Sequence, residues 1–529
     1  MDNTILYKNL KNSYMYGPNI KSVKILQTHI SFVVLTGKFA YKIKKPVNFG
    51  FLDFSTLEKR KFYCDEELKL NKRLCPEIYI EVVPIFEKNK SLNFIGAGKI
   101  VDYALKMKEF PQKNIMTNLI KQNKLNDKVF ENIAEILVNF YKKDKSSEEI
   151  KQFGNLKAIK KNADENFEQT KSVIGLTIDK NIYDFIKNET NIFLEKNKDI
   201  FEKRIKNNFI HDCHGDLHSG NIVINNDKIC IFDCIEFNKR FRYSDVASDI
   251  GFLAMDLDYL GYPYYSSYLI EQYIEKSKDK EIFDVLNFYK CYRAYVRGKV
   301  AGFRLDNPSI NKREKKEIIN TAKKYFDLAS YYASLFSFKL KQKRPILFIT
   351  SGLTGTGKTT TARKISIDYS ADLISTDAVR KELEGINKYE RHHDEYNTGL
   401  YSPEKMAYTY EKILEKAKKL LINQKNVVLD ATFKTEENRE KAKKIAKKTN
   451  ASFLILNCVC PEEIIKKYLK ERVKKKSISD GRWEIYVKQK KSFEPFKSDK
   501  NKIEIDISNN SYDYQIRVFR KILKKLNED

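Results

Sequence analysis

Between Ile25 and Lys45 the stretch ISFVVLTGKFAYKIKK sets two apolar runs around a glycine-containing turn, the pattern of antiparallel strands joined in a hairpin. From Thr56 to Leu74, TLEKRKFYCDEELKLNKRL changes to a helical period and is stopped by Pro76, after which IYIEVVPIF reads as strand again. VDYALKMKEFPQKNIMT, Val101 to Thr117, reads as a strand running into a loop, and helical periods then dominate to about Phe338 with a break near 209–237. Beyond Pro345 the period changes once more. PILFIT, ADLIST, NVVLDATF and ASFLILNCV alternate with helical segments, as right-handed crossovers feeding a parallel sheet do. The change falls at SFKLKQKR, where Lys339, Lys341, Lys343 and Arg344 stand without an acid. The pattern predicts an α+β region over 1–338, with a small β-rich lobe (about 1–105) and a helical lobe (about 106–338). An α/β region with a parallel sheet flanked by helices is predicted over 345–529.

A chain of 529 residues is long enough for two or three domains, and 42% hydrophobic with 12% aromatic residues excludes global disorder. Lys and Arg number 99 against 71 Asp and Glu, a formal charge of +28 that attracts polyanions. Most of the lysine, however, sits in mixed-sign helical stretches such as EKILEKAKKLLINQK (Glu411 to Lys425), the mark of a solvated face. Nucleic acid is therefore a partner the charge permits but does not favour. The eight cysteines, at 64, 75, 213, 230, 234, 291, 458 and 460, form no CxxC pair, so reduced thiols are expected. The N-terminal residues lack the regions of a signal peptide and no run approaches 18 apolar residues, so the expectation is a soluble cytoplasmic protein with no membrane partner.

Gly352-Leu-Thr-Gly355-Thr-Gly357-Lys358-Thr359 fits G-x-x-x-x-G-K-[ST] and lies between the strand PILFIT and the helix TTTARKISIDY. Glycines let backbone amides curl around phosphate oxygens at the positive end of a helix. Lys358 can then bridge the outer phosphates and Thr359 can hold magnesium, with Thr360 completing the nucleotide-binding set. Asp430, in VVLDATF, closes an apolar strand and suits the carboxylate associated with magnesium. Asp377, in STDAVRKEL, suits a general base on the acceptor side with Arg380 as a phosphate clamp, although a helix-capping role is the plainer alternative.

His214-Gly-Asp216-Leu-His218-Ser-Gly-Asn221 places a carboxylate and an amide five residues apart, and ICIFDCIEF follows with Asp233. Phosphoryl transfer of the kinase type needs a base for the acceptor hydroxyl and side chains for metal, which H-x-D-x-x-x-x-N with a later Asp supplies. Asp216 is then the base, and Asn221 and Asp233 the magnesium ligands. A zinc site from His211, Cys213, His214, His218, Cys230 and Cys234 is the competing chemistry, against which the spacing speaks; an inert turn is the bland one.

GLTGTGKTT, STDAVRKEL, VVLDATF and KERVKKKSISDGRWEIYVKQ together resemble small P-loop kinases of the predicted AAA-type group, related to polynucleotide and gluconate kinases, over about 345–525. The resemblance implies a P-loop NTPase fold, with Arg472 and Arg482 in or near a lid over the transferring phosphate. Residues 1 to about 335 resemble the aminoglycoside phosphotransferase-like family, relatives of protein kinases with the same two-lobed plan, most strongly in HGDLHSGNI and IFDCIEF. That resemblance implies Lys42, or its rival Lys44, as the phosphate-binding lysine and Glu66 or Glu67 as its helix partner. It also implies an adenine-contacting hinge at Ala104 to Phe110. This chain departs from the protein-kinase pattern in having FDC for DFG and no G-x-G-x-x-G loop before Lys42. Arg293, Arg297 and Lys299 are candidates to face an anionic acceptor.

The expected function is a bifunctional phosphotransferase whose two domains each bind ATP and Mg2+ and act on small-molecule hydroxyls. The alternatives are a polynucleotide 5′-hydroxyl kinase and a nucleotide-gated regulatory ATPase.

Overall fold

Strands β1 (Lys24–Gln27), β2 (Ser31–Leu35) and β3 (Phe39–Lys44) run antiparallel, with Leu35 opposite Ala40 and Ser31 opposite Lys44. The turn of the expected hairpin is closed by Thr36, whose Oγ1 donates to Phe39 O at 2.8 Å. With β4 (Tyr79–Lys88), β5 (Ser91–Asn93) and β6 (Lys99–Lys108) they form a six-stranded antiparallel sheet in the order β1-β2-β3-β6-β4-β5. Phe32, Val34, Tyr41, Ile43, Ile85 and Ala104 make one core of this sheet. Helix α1 (Leu57–Asn71) starts where Thr56 Oγ1 accepts from Lys59 N, and it packs on β4 and β6.

The computed structural model describes residues 8–50, 52–88, 91–96, 98–143, 146–306, 310–387, 390, 398–472, 481–497, 499–509 and 511–528. Two compact units emerge: residues 1–162, 198–256 and 272–279 form the first, and 163–197, 257–271 and 280–529 the second. The first unit adds two short antiparallel ribbons to the sheet. One pairs β7 (Ile210–Asp212) with β10 (Tyr243–Asp245); the other pairs β8 (Ile222–Asn225) with β9 (Lys228–Ile231). The segment 272–279 is tied in by Arg204, whose buried guanidinium donates to Asp245 at 2.6 Å and Asp279 at 2.8 Å. After β10, helix α2 (Val246–Tyr259) is buried along most of its length, so each of its acids must find a partner.

The second unit carries the long helices α3 (Leu286–Phe303) and α4 (Lys312–Lys341) together with a five-stranded parallel sheet. Helix α4 opens with a reciprocal cap between Asn311 and Glu314. The sheet is built from β11 (Ile346–Ser351), β12 (Asp372–Ser375), β13 (Val427–Asp430), β14 (Ser452–Val459) and β15 (Lys502–Asp506), in the order β12-β13-β11-β14-β15. All six residues of β11 are buried, as a central strand covered by helices on both faces requires. The helices are α5 (Lys358–Asp368), α6 (Thr376–Leu383), α7 (Pro403–Ile422), α8 (Glu436–Lys448), α9 (Glu462–Arg472), α10 (Trp483–Lys491) and α11 (Tyr512–Glu528). Strand β15 is an addition to the four strands legible in the sequence: KIEID alternates charged and apolar residues at the sheet edge and gives no apolar run.

The division into units does not coincide with the change of pattern at 338–345, because a buried polar cluster joins α3 and α4 to the helix after β11. Lys364 Nζ reaches both oxygens of Asp368 at 2.6 Å, and Tyr331 OH donates to Asp368 at 2.5 Å. Lys290 Nζ and Tyr332 OH each donate to Asp258 at 2.6 Å. The expectation of eight free thiols also needs correction: Cys75 and Cys230 are joined in a disulfide with Cα atoms 4.9 Å apart. Their separation of 155 residues hid that proximity. Among the described residues no helix is long and apolar enough to cross a membrane.

Candidate functional site

The loop after β11 turns through Gly352, Gly355 and Gly357, with φ of +134°, +83° and +76°. At Gly352 an added Cβ would stand 2.4 Å from the backbone oxygen of Cys458, so no other residue fits without moving the backbone. Gly357 is the left-handed residue that launches α5, whose first amides therefore face the loop. Lys358 Nζ donates to Leu353 O at 2.8 Å and folds across the loop. Thr359 Oγ1 donates to Asp430 Oδ2 at 2.7 Å, which brings together the two groups assigned to magnesium. Burial pushes the Asp430 carboxyl up, against the pull of the Thr359 hydroxyl and the Lys358 charge. Hydroxyl and carboxylate oxygens are the hard donors magnesium takes, so the pair fits that ion.

Asp377 lies in the first turn of α6, and Arg380 Nη1 donates to its Oδ1 at 2.9 Å. Arg380 is buried, its guanidinium 4.5 Å from the Tyr401 ring centroid. Burial works against its charge, but the Asp377 carboxylate more than offsets this and raises its pKa. Among the described residues its buried Nε has no hydrogen-bond partner. Lys358, Thr359, Thr360, Asp377, Arg380 and Asp430 line one cavity of about 1280 Å³, which continues between α7 and α8. Tyr410, also on its wall, fixes the floor: its OH accepts from Phe433 N at 3.0 Å.

In the first unit, α1 and β3 set a second constellation. Lys42 Nζ lies 2.7 Å from Glu67 Oε1 and 2.5 Å from Asp233 Oδ1. Lys44 lies 2.6 Å from Glu67 Oε2 and also pairs with Glu236. The two rivals are thus both used, Lys42 toward Asp233 and Lys44 toward Glu236. Between the two candidate acids, Glu67 is fully buried, whereas the Glu66 side chain is 26% exposed and pairs with Lys69. Burial alone would raise the Glu67 carboxyl, but two ammonium groups bring it down to about 2. For Lys42 the order is the same: burial opposes the charge, and Asp233 and Glu67 hold it well above the ordinary lysine value.

Asp216 and Asn221 meet as the spacing demands, Asn221 Nδ2 donating to Asp216 Oδ2 at 3.1 Å. That leaves the Asn221 carbonyl oxygen, with the Asp233 carboxylate, as oxygen donors suited to magnesium. The loop itself is gripped by α2, since Asp249 accepts from His214 N at 2.7 Å and Gly215 N at 2.9 Å, and Asp256 accepts from Ser219 N at 2.9 Å. His214 is an internal strut. Its Nδ1 accepts from Asp216 N at 3.3 Å, its Nε2 faces Phe232 O at 3.0 Å, and burial lowers its pKa. Asp233 adopts φ +63°, the left-handed region, where its N donates to Tyr79 OH at 3.1 Å.

Other expected residues lie elsewhere. Arg297 and Lys299 are engaged within the second unit, Lys299 with Asn166 at 2.6 Å and Arg297 over the Tyr325 ring, and Arg293 is buried there. Among the described residues no group of three or more His, Cys, Asp or Glu is set to hold a metal ion, so the competing zinc set is not assembled. Arg472 ends α9, with its side chain outside the described residues, and Arg482 precedes α10. Sequence reasoning missed Gln489 of α10, whose Oε1 accepts from Thr354 N in the phosphate loop at 2.9 Å. It also missed Glu236, Asp249 and Asp256, for which no spacing rule links acid to loop.

The chain is 27% identical over 443 residues to uncharacterized proteins of Mycobacterium tuberculosis and Mycobacterium bovis, covering 84% of this chain and 85% of theirs. Among solved structures it is similar to a gluconokinase from Sinorhizobium meliloti 1021, at 16% identity over 35% of this chain and 96% of that one, TM-score 0.26. It is also similar to the GDP complex of aminoglycoside 2′-phosphotransferase-IIIa, at 12% identity over 61% of this chain and 99% of that one, TM-score 0.35. The segment that holds the phosphate loop, Asp377 and Asp430, residues 347–496, matches the family model of the AAA domain.

Proposed function

We propose that the protein is a magnesium-dependent phosphotransferase with two nucleotide sites, one in a kinase-like region over 1–338 and one in a P-loop region over 345–529, each acting on a hydroxyl of a small molecule. The observation that carries the reading is the single cavity in which Lys358, Thr359 and Asp430 meet the Asp377–Arg380 pair. At the P-loop site the loop amides and Lys358 bind and orient the phosphates of ATP, and Asp377 takes the proton of the acceptor hydroxyl. Thr359 and Asp430 would hold magnesium, which when bound neutralises charge on the phosphates. Arg380 fixes Asp377 and meets an anionic part of the acceptor. At the first site Lys42 orients phosphates, Asp216 is the base, and Asn221 with Asp233 would hold magnesium.

A polymer acceptor is the less favoured reading. The cavity is lined by Lys441, Lys444 and Lys448 of α8 but equally by Glu404, Glu411 and Glu415 of α7, a mixed wall that does not form a single-sign funnel for nucleic acid.

The test screens ATP consumption against sugars, nucleosides, aminoglycosides and 5′-hydroxyl oligonucleotides, using the full chain with Lys358→Ala or Asp216→Asn. Lys358→Ala is expected to abolish turnover at the P-loop site only. Asp216→Asn is expected to slow the first site alone by roughly 10²- to 10⁴-fold. Untouched turnover of the first site's acceptor in Asp216→Asn would refute its assignment as base. Asp377→Asn is expected to keep ATP affinity near wild type while transfer falls by roughly 10²-fold or more. Parallel loss of ATP binding would move that carboxylate to the metal.

A further inference from the structure

Residues 71–79, from the last residue of α1 to the first of β4, touch the segment 230–234 that presents Asp233 at four points. Asn71 Oδ1 accepts from Cys234 N at 2.9 Å, Arg73 Nη2 donates to Cys234 Sγ at 3.5 Å, and Tyr79 OH accepts from Asp233 N at 3.1 Å. The fourth point is covalent, Cys75 to Cys230 of β9. The helix that leads into the first segment and the second segment itself carry the partners of Lys42, Glu67 on α1 and Asp233 three residues beyond Cys230. Cys75 and Cys230 lie in one apolar cluster with Ile78, Tyr79, Leu105 and Phe232, beside the ionic constellation. The other six cysteines are free thiols, five of them buried. Cys75 is buried, but Cys230 is half-exposed, so one member of the pair is open to solvent.

We propose that Cys75 and Cys230 form a reversible oxidation site that sets the nucleotide affinity of the first site, a role that rests on the reading of that site as a nucleotide site. Joined, they fix the segment after α1 to β9, which leads into Asp233, and hold Glu67, Lys42 and Asp233 in register. As thiols they release that register.

The oxidant is a peroxide. The Cys230 thiolate attacks one oxygen of hydrogen peroxide, the O–O bond breaks, and the departing hydroxide leaves as water, giving a sulfenic acid. The Cys75 thiolate then attacks that sulfur, the S–S bond forms, and the sulfenic oxygen leaves as a second water. Two thiols and one hydrogen peroxide thus give one disulfide and two waters. A small dithiol reverses the step by two exchanges and is itself oxidised.

The experiment uses the full chain carrying Lys358→Ala, which silences the P-loop site, after treatment with hydrogen peroxide or dithiothreitol. Free thiols are alkylated, the protein is digested without reductant for peptide mapping, and affinity is read by titration with a fluorescent ATP analogue. The oxidised form is expected to yield the peptide linking Cys75 to Cys230 and to bind roughly tenfold tighter, the scale of one charge-assisted contact held in place. Cys75→Ser in the same background is expected to bind with the reduced form's affinity under both treatments, and Cys64→Ser to respond as the parent does. Full alkylation of both cysteines after peroxide would overturn the proposal, as would a mapped bridge with affinities equal within about twofold. Absence of binding in both forms, with the bridge mapped, would instead sink the nucleotide reading of the first site and take the affinity claim with it.

Discussion

Glu67 accepts from Lys42 and Lys44 at once, and its carboxyl titrates far below an unfolded glutamate as a result. A folded pKa of about 2 against the ordinary 4.5 means that the unfolded chain binds the proton first as the pH falls. The stability Glu67 contributes is fully present above 4.5 and drains away as the pH drops toward 2. Urea unfolding of the parent followed from pH 7 to pH 3 is therefore expected to show a steeper loss below pH 4.5 than Glu67→Gln, which has no proton to bind there. Equal slopes would mean that the two lysines do not hold the carboxylate ionised. At this scale the contiguous motifs were readable: the phosphate loop and HGDLHSGN name their own residues, because their chemistry lies within eight positions. The choice between Lys42 and Lys44, or between Glu66 and Glu67, was not. Lys42 and Lys44 stand on the same side of β3 and share Glu67, so what separates them is the second acid each meets, and Glu66 and Glu67 differ in the face of α1 they occupy; the partners of Lys42 lie 25 and 191 residues away.

Helix α10 is the element whose role sequence could not supply. The resemblance put Arg482, just before it, in or near a lid but gave the helix itself no contact, yet Gln489 reaches the amide of Thr354 in the phosphate loop, and Trp483 at its start stacks on Tyr486 with centroids 5.0 Å apart. Trp483 is the sole tryptophan of the chain, so its emission reports on this helix alone. Nucleotide phosphates that recruit the loop amides would compete with Gln489 and shift α10. Titration of the full chain with ATP is expected to change Trp483 emission, and the change is expected to vanish in Lys358→Ala. In Gln489→Ala the loop is freed beforehand, so a smaller emission change at unaltered or tighter affinity is expected. A full-sized change in Gln489→Ala would show that the contact does not couple helix to loop. Strand β15 escaped for a related reason: at a sheet edge, burial of Ile503 and Ile505 alone leaves too short a pattern to separate from helix or loop.

At the scale of the whole molecule, the alternation of strands and helices after Pro345 was legible because β11, β13 and β14 are apolar runs buried on both faces. The true extent of the second unit was not, since it depends on pairs such as Tyr331 with Asp368 and Asn287 with the backbone of Asp368. A fragment of residues 345–529 loses the Tyr331 hydroxyl that donates to the Asp368 carboxylate, and a hydrogen bond to a charged group contributes about 1.5–3 kcal/mol. Urea denaturation is expected to find 345–529 less stable by at least about that amount than 280–529, which retains α3 and α4. Equal stability would place the boundary at the change of sequence pattern after all. The cluster also bears on ancestry. A P-loop cassette is usually a portable thing that recombination can move between genes, because its helices end in solvent. Here Tyr331 donates to Asp368 and Lys364 faces Asp258, so a lineage that lost the preceding helices would keep the Lys364–Asp368 pair but lose the partners that complete it. The fusion is for that reason a ratchet: separation undoes contacts that have grown up between the helices and the cassette, and descendants that keep both halves in one reading frame retain them.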